Sequence, residues 1–220
     1  MKKLLVMGDY ESPRFHPLSN LSPLLKALEH NYEITVTESY PALTAEELNR
    51  YDACINYMDN WQDRGNESAE NEILRYMETG GKMLTLHNGI LTKKSEKLLM
   101  MQGGTFKGHE PYDRLVYRCR GICSGAEGET ESFALMEEPY QYELYRTEEM
   151  EIFLEYLYRG NWFPAGWKLP FGTGTVIYLA PGHDEKSFAD RNVITLAEGA
   201  LDLLTSKYGK EEQGESDCTA

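Results

Sequence analysis

The fold class is decided by one stretch of the sequence, Lys82-Met83-Leu84-Thr85-Leu86-His87-Asn88-Gly89. The short apolar run from Met83 to Leu86 follows the turn Gly80-Gly81, and this pattern predicts a buried strand. Gly89, two residues after His87, suits a sharp turn from that strand into a helix. Many α/β enzymes carry a nucleophilic Ser or Cys at such a strained turn. Because His87 occupies the position here, we do not expect acyl transfer through this residue.

Strands and helices alternate on both sides of this stretch. Strands are predicted at residues 3–8, 32–37, 51–57, 83–86 and 176–179, and helices at residues 17–29, 44–48, 67–77, 93–101 and 187–206. This rhythm implies right-handed crossovers between parallel strands. We therefore predict an α/β fold with three layers, in which a doubly wound, mostly parallel sheet lies between helices.

The pattern changes between residues 115 and 158, where we predict a short antiparallel insert with strands at residues 115–118, 132–135 and 152–154. The chain has no internal repeat and no convincing linker, so residues 1–208 are predicted to form one domain. Residues 209–220 are polar and acidic, and we expect them to be a disordered tail.

The composition excludes several classes of partner. The chain has 220 residues and a formal net charge of −14, whereas nucleic-acid binding needs a basic face. The same charge disfavours an anionic membrane surface. No stretch approaches the roughly 18 apolar residues of a membrane helix, so we expect a cytoplasmic protein. We expect Cys119 and Cys123 to be reduced thiols, with a bridge or metal clip between them as the alternative.

Histidines follow three of the predicted parallel strands. His16 lies after the first strand, His87 after the fourth and His183 after the late strand. Ligands of open α/β sheets bind outside the carboxyl ends of the strands, so the three side chains should point toward one edge. His109 lies in a glycine-rich loop that could fold over that edge. His30, at the end of the first helix, should lie on the far side.

Each histidine also has a structural interpretation. A single loop histidine such as His16 or His109 is usually a solvated polar residue. His87 and His183 follow apolar strands, so each could be buried with one backbone hydrogen bond. The position of several histidines at the ends of neighbouring strands favours a functional site over these alternatives.

The same residues carry a family resemblance that covers most of the chain. It rests on an ordered set of motifs: Leu86-His87-Asn88-Gly89, residues 103–109, Glu137-Glu138-Pro139-Tyr140, Pro164-Ala165-Gly166-Trp167, Gly172-Thr173-Gly174, and residues 179–184. This set resembles the ThuA-like family, named for trehalose utilisation, which belongs to the class I glutamine amidotransferase-like superfamily. The resemblance implies a flavodoxin-like fold of that type and a role in the metabolism of trehalose or a related disaccharide, with an oxidised sugar as a sensible substrate.

The chain departs from the related enzymes in two places. Glutamine amidotransferases carry Cys where this chain has His87, so glutaminase activity should be absent. Their later His-x-Glu motif is kept in spacing by His183-Asp184-Glu185, without the intervening Pro. Many ThuA-like chains have a His-Pro pair where this chain has residues 119–128, and no role of that pair can be transferred.

Three hypotheses for function follow. In the first, the protein is a carbohydrate-active hydrolase or isomerase, in which His183 is the general acid or base, Asp184 or Glu185 orients it, and His87 holds the substrate or a metal. An imidazole pKa near about 6.5 suits proton transfer at neutral pH. The candidate catalytic residues are His183, His87, Asp184 and Glu185, and the candidate substrate-binding residues are Glu138, Tyr140, His109 and Asn88.

In the second hypothesis the site holds a metal ion. Several histidines with an acidic residue suit Zn²⁺, which binds neutral imidazole. The candidate ligands are His16, His87, His109 and His183, with Glu138 as an alternative. Their spacings match no local zinc motif, so this prediction depends on the fold bringing distant loops together. No nucleotide or flavin cofactor is expected.

In the third hypothesis the edge binds a sugar without turnover, as a sensing or assembly module. Aromatic side chains could then stack on pyranose rings, although most of the 15 Tyr and 3 Trp residues should serve packing. The tyrosine-rich insert could also pair with a second copy of the chain, or it could only cover a sheet edge.

Overall fold

The computed structural model describes residues 1–9, 16–38, 42–58, 67–90, 95–121 and 130–206. The predicted tail at residues 209–220 lies outside these ranges. The strands are β1 (Lys2–Gly8), β2 (Tyr32–Thr37), β3 (Ala53–Tyr57), β4 (Lys82–Leu86), β5 (Gly104–His109), β6 (Asp113–Arg120), β7 (Thr130–Glu137), β8 (Tyr140–Leu144), β9 (Glu151–Tyr158), β10 (Asn161–Phe171) and β11 (Gly174–Leu179). The helices are α1 (Ser22–Leu28), α2 (Ala45–Leu48), α3 (Glu67–Glu78), α4 (Glu96–Gln102), α5 (Glu185–Ala189) and α6 (Arg191–Thr205).

A nine-stranded sheet in the order β2-β1-β3-β4-β11-β10-β9-β6-β7 forms the centre of the fold. In the first part of this order, β2-β1-β3-β4-β11, neighbouring strands pair in parallel. In the second part, β11-β10-β9-β6-β7, neighbouring strands pair antiparallel. The fold is therefore a mixed α/β fold, in which a parallel half and an antiparallel half share one sheet.

The parallel half is buried on both faces. Alternate residues of β1 belong to two different cores, Leu4 and Val6 to one and Leu5 and Met7 to the other. The first core includes apolar residues of α1 and α6, and the second includes those of α2, α3 and α4. Side chains of a strand point alternately to opposite faces, so helices cover the sheet on both sides and make three layers.

The antiparallel part is larger than the short insert predicted from the sequence. β10 was missed because Pro164, Gly166 and Pro170 interrupt its strand pattern. The structure accommodates Pro164 and Gly166 with register shifts against β9, since proline and glycine are tolerated at bulges. Pro170 lies beyond Lys168, the last residue of β10 that pairs with β9. β5 was missed because its glycines indicated a loop. β5 instead pairs with β8 as a separate two-stranded sheet, and His109 is its last residue.

Two further expectations need correction. The single closing helix predicted at residues 187–206 is divided at Asp190, whose extended backbone ends α5 and whose side chain caps α6. Cys119 is disulfide-bonded rather than a reduced thiol, and Cys123 lies outside the described residues. Among the described residues, no helix is long and apolar enough to cross a bilayer.

Candidate metal centre at the carboxyl edge of the sheet

The strand directions bring four of the predicted site residues to one edge. β4 and β11 run parallel, so His87 and His183, which follow them, emerge together. β1 runs in the same direction, and His16 lies beyond its carboxyl end. Each of the pairs β11-β10, β10-β9, β9-β6 and β6-β7 reverses direction. Four reversals return β7 to the direction of β11, so Glu138, which follows β7, reaches the same edge. We call this the carboxyl edge.

These four residues form a compact set of ligand atoms, here called the His–Glu cluster: His16, His87, Glu138 and His183. One ligand atom from each lies within 4.8 Å of the other three. His183 Nδ1 is 3.3 Å from His16 Nε2 and 3.1 Å from Glu138 Oε2. His87 Nε2 is 3.8 Å from the same carboxylate oxygen. Ligands of a tetrahedral Zn²⁺ at roughly 2.0–2.1 Å would be about 3.4 Å apart, so the cluster has the dimensions of a metal site.

His87 is held at the end of β4 in a fixed tautomer. Its backbone has a φ of 41°, in the left-handed region, at the start of the 3₁₀ turn His87–Ile90. Its Nδ1 is 2.7 Å from the carbonyl oxygen of Ala180, and a carbonyl oxygen only accepts hydrogen bonds. The proton therefore lies on Nδ1, and the lone pair of Nε2 faces the cluster. Metal-binding histidines typically donate their other N–H in this way.

The turn that carries His87 is tied to β3 by two amide side chains. Asn56 Nδ2 donates to the carbonyl of Gly89 at 3.0 Å, and Asn88 Nδ2 donates to the carbonyl of Tyr57 at 3.2 Å. A Cβ at Gly89 would lie 2.5 Å from the Asn56 carbonyl oxygen, so this close approach requires glycine. The side chain of Asn88, which was predicted to bind substrate, thus helps to hold this turn against β3.

The charges of the cluster are arranged around one neutral and one protonatable imidazole. Burial lowers the pKa of His87 well below its ordinary value, and repulsion from His16 and His183 adds to this effect. The hydrogen bond to Glu138 raises the pKa of His183 against the opposing effect of burial. Burial opposes ionisation of Glu138, but the hydrogen bond and charge of His183, together with His109 and His16, lower its pKa. The cluster thus keeps an ionised carboxylate beside imidazole ligands.

The other predicted site residues lie around the cluster. His109 Nδ1 is 3.6 Å from Glu138 Oε1, and the His109 side chain is 42% exposed, so His109 lies at the rim rather than in the ligand set. Asp184 Oδ1 accepts the backbone N–H of Ser187 and caps α5. Glu185 is exposed at the first residue of α5. The carboxylate beside His183 Nδ1 is that of Glu138.

Tyr140 is the predicted site residue that touches the cluster most directly. Its hydroxyl is 2.8 Å from His87 Nε2. Because Nε2 of this tautomer is an acceptor, the hydroxyl donates the hydrogen bond. Tyr140 is 2% exposed, and its ring packs at 4.3 Å from the His87 ring.

Two residues have a supporting role that was not predicted from the sequence. Glu137 Oε1 accepts the backbone N–H of Gly182 at 2.9 Å, and the Tyr57 hydroxyl donates to the carbonyl of Gly182 at 3.2 Å. The peptide groups on either side of Gly182 are therefore held from β7 and from β3, directly before His183. The signal in the sequence was the acidic pair Glu137-Glu138 at a strand end. The Glu138 carboxylate faces the cluster, and the Glu137 carboxylate binds the backbone at Gly182 that precedes His183.

Glu137 should make the stability of the metal-free protein depend on pH. Burial raises its pKa from 4.5 to about 7, although the hydrogen bonds from Ser187 and Gly182 oppose this shift. The folded state then binds the Glu137 proton more tightly than the unfolded state. Stability should therefore fall by up to about 3 kcal/mol as pH rises between these two values.

The replacement Glu137→Gln tests this dependence, since Gln keeps an acceptor oxygen and cannot ionise. Urea unfolding of metal-free wild type and variant across this range should show the variant gaining stability relative to wild type as pH rises. A stability difference that is the same at every pH would contradict the assignment.

Comparisons with known proteins agree with the sequence resemblance. The model of the ThuA family, described as trehalose utilisation, matches residues 6–203. No curated protein gives a significant match. A ThuA-like protein from Bacteroides uniformis ATCC 8492 superposes with a TM-score of 0.75 and 19% identity, covering 94% of this chain and 92% of that chain. A ThuA-like protein from Parabacteroides merdae ATCC 43184 gives a TM-score of 0.67 and 13% identity, covering 93% and 90%.

A larger enzyme contains a similar fold as one of its parts. The β-galactosidase from Bacillus circulans sp. alkalophilus superposes with a TM-score of 0.62 and 16% identity, covering 92% of this chain but 31% of that chain. At these identities the structural likeness shows the fold alone. The family model, in contrast, spans most of the sequence, and on this basis the chain belongs to the ThuA family.

Proposed function

We propose that this protein is a metal-dependent enzyme of carbohydrate metabolism that acts on a sugar or an oxidised sugar at the carboxyl edge. The single observation that carries the proposal is the convergence of His16, His87, Glu138 and His183 within 4.8 Å. Membership of the trehalose utilisation family supports the carbohydrate context. We further propose that the parallel half is the class I glutamine amidotransferase-like arrangement that the resemblance implies.

The residues present fit a divalent ion. Three imidazoles and one carboxylate are the ligand types of zinc and of other first-row metals, and zinc is our candidate. When bound, such an ion would supply Lewis acidity to a sugar oxygen. His87 Nε2, His183 Nδ1, His16 and Glu138 would hold it. The hydrogen bond from His87 Nδ1 to Ala180 would keep the His87 ring in place.

The ligand role leaves other side chains for proton transfer. His183 Nδ1 faces His16 and Glu138, so this nitrogen cannot be both a ligand and the general base. The imidazole of His109 remains at the rim beside Glu138, and histidine is the side chain most often used for general acid–base catalysis. We therefore propose His109 as the proton carrier, with its ring oriented by the carbonyl oxygen of Glu110, which lies 3.0 Å from His109 Nδ1 and accepts its proton. Glutaminase activity is not part of the proposal, since His87 replaces the nucleophilic Cys.

A sugar-binding module without turnover is the second candidate. Tyr112 favours it, because this ring is 42% exposed and lies 5.6 Å from the His183 ring. An exposed aromatic ring beside polar side chains suits stacking against a pyranose. This candidate predicts sugar binding that does not depend on metal and is followed by no chemical change.

One experiment separates these proposals. The protein is purified without chelator, its metal content is measured by elemental analysis, and turnover of native and oxidised disaccharides is assayed before and after chelation. The proposal predicts close to one equivalent of metal and a turnover that chelation abolishes and zinc restores. Sugar binding without turnover would favour the module, and a protein without stoichiometric metal would contradict the metal site.

A further inference from the structure

The Tyr140 hydroxyl occupies the lone pair that a metal ion would need. The Ala180 carbonyl fixes the His87 proton on Nδ1. Nε2 therefore has one lone pair, and it accepts the hydrogen bond from Tyr140 at 2.8 Å. An imidazole nitrogen can bind a metal only through that lone pair. The hydrogen bond and a metal–nitrogen bond at His87 Nε2 thus exclude each other.

The remainder of Tyr140 is firmly held. Its backbone carbonyl accepts the Tyr156 hydroxyl at 2.7 Å. Its ring packs against two other rings, with centroid distances of 4.4 Å to Phe106 and 4.3 Å to His87. Because the backbone and ring are fixed, a lost acceptor at His87 would redirect the hydroxyl proton without carrying the side chain out of the site.

We infer that metal and the Tyr140 hydroxyl compete for His87 Nε2, and that metal binding releases this hydroxyl to donate to an oxygen atom of the sugar substrate. The inference rests on the proposed function, because it requires the cluster to bind an ion. It gives Tyr140 two linked effects. The hydroxyl weakens metal binding in the absence of substrate, and it serves as a hydrogen-bond donor once metal is present.

The replacement Tyr140→Phe separates these effects from a structural role. Phe keeps the ring contacts and removes the competing hydrogen bond, which is worth about two- to tenfold in an equilibrium constant. Zn²⁺ affinity, measured by competition with a chromophoric chelator in the absence of sugar, should therefore become about two- to tenfold tighter. Turnover with saturating Zn²⁺ should fall by at least about tenfold, since the donor to substrate is missing.

Tyr142→Phe is the matched control. Tyr142 lies on the same face of β8, and its hydroxyl contacts the Tyr178 hydroxyl at 2.9 Å. This variant should leave Zn²⁺ affinity unchanged. If Tyr140→Phe binds Zn²⁺ as wild type does, or more weakly, competition is refuted while the metal site stands. If wild type itself binds no Zn²⁺ at the cluster, the proposed function fails together with the inference.

Discussion

Replacing His183 by Ala should weaken metal binding by at least about 100-fold and abolish turnover. Residues that only hydrogen-bond to a metal ligand are worth about 10–100-fold in metal affinity. His183 Nδ1 itself lies inside the ligand set, 3.1 Å from Glu138 Oε2 and 3.3 Å from His16 Nε2. Removal of the ring also leaves Glu138 without its hydrogen-bond partner. Zn²⁺ titration by calorimetry and turnover on oxidised disaccharides measure the two effects.

The fold should survive this replacement. The His183 side chain is 23% exposed, and the hydrogen bonds on either side of Gly182 involve the backbone, so thermal unfolding of the metal-free variant should resemble that of wild type. His30→Ala is the matched control, because His30 is exposed after α1 and outside the cluster. If His183→Ala binds Zn²⁺ as tightly as His30→Ala does, His183 is not a ligand.

Replacing Gly182 by Ala should destabilise the protein and displace His183. Gly182 has a φ of 133°, and an added Cβ would lie 2.4 Å from Phe188 Cζ, a ring that is fully buried. The left-handed backbone costs roughly 1–3 kcal/mol for a residue other than glycine, and overpacking costs roughly 1–3 kcal/mol more. Movement of this loop would also break the hydrogen bonds from Tyr57 and to Glu137. We expect a loss of about 2–5 kcal/mol in urea unfolding and weaker Zn²⁺ binding.

Gly160→Ala isolates the backbone contribution. Gly160 has a φ of 81°, and nothing lies within 4 Å of its added Cβ. This variant should lose only the stability that the left-handed backbone costs, and it should retain wild-type Zn²⁺ affinity. Equal stability losses in the two variants, with Zn²⁺ affinity unchanged in both, would contradict the positioning role of the Gly182 loop.

The parallel half of the fold could be predicted because its signals are local. β1, β3 and β4 are short apolar runs, β2 alternates apolar and polar residues, and a helix follows each of the four strands. Right-handed crossovers then determine the strand direction. The meeting of His16, His87 and His183 followed from the same rule, since all three come after strands of one direction. His109 was placed near this edge as well, although in a loop rather than at the end of a strand.

The antiparallel half could not be predicted in the same way because its pairing is set by distant contacts. Pro164, Gly166 and Pro170 conceal β10 in the sequence, and bulges against β9 accommodate Pro164 and Gly166. Glu138 joins the ligand set in place of His109 because four antiparallel pairings turn β7 back toward the carboxyl edge. The acidic pair Glu137-Glu138 marks these residues as candidates in the sequence, but the direction of β7, and with it the contact between Glu137 and Gly182, is set by the distant pairings.

The most direct test of the central claim is anomalous diffraction from crystals of the wild-type protein supplied with zinc. We expect one peak above the zinc absorption edge, bounded by His16, His87, Glu138 and His183, with metal–nitrogen distances of about 2.0–2.1 Å. The absence of a peak between these four residues, or a peak held by other residues alone, would contradict that claim.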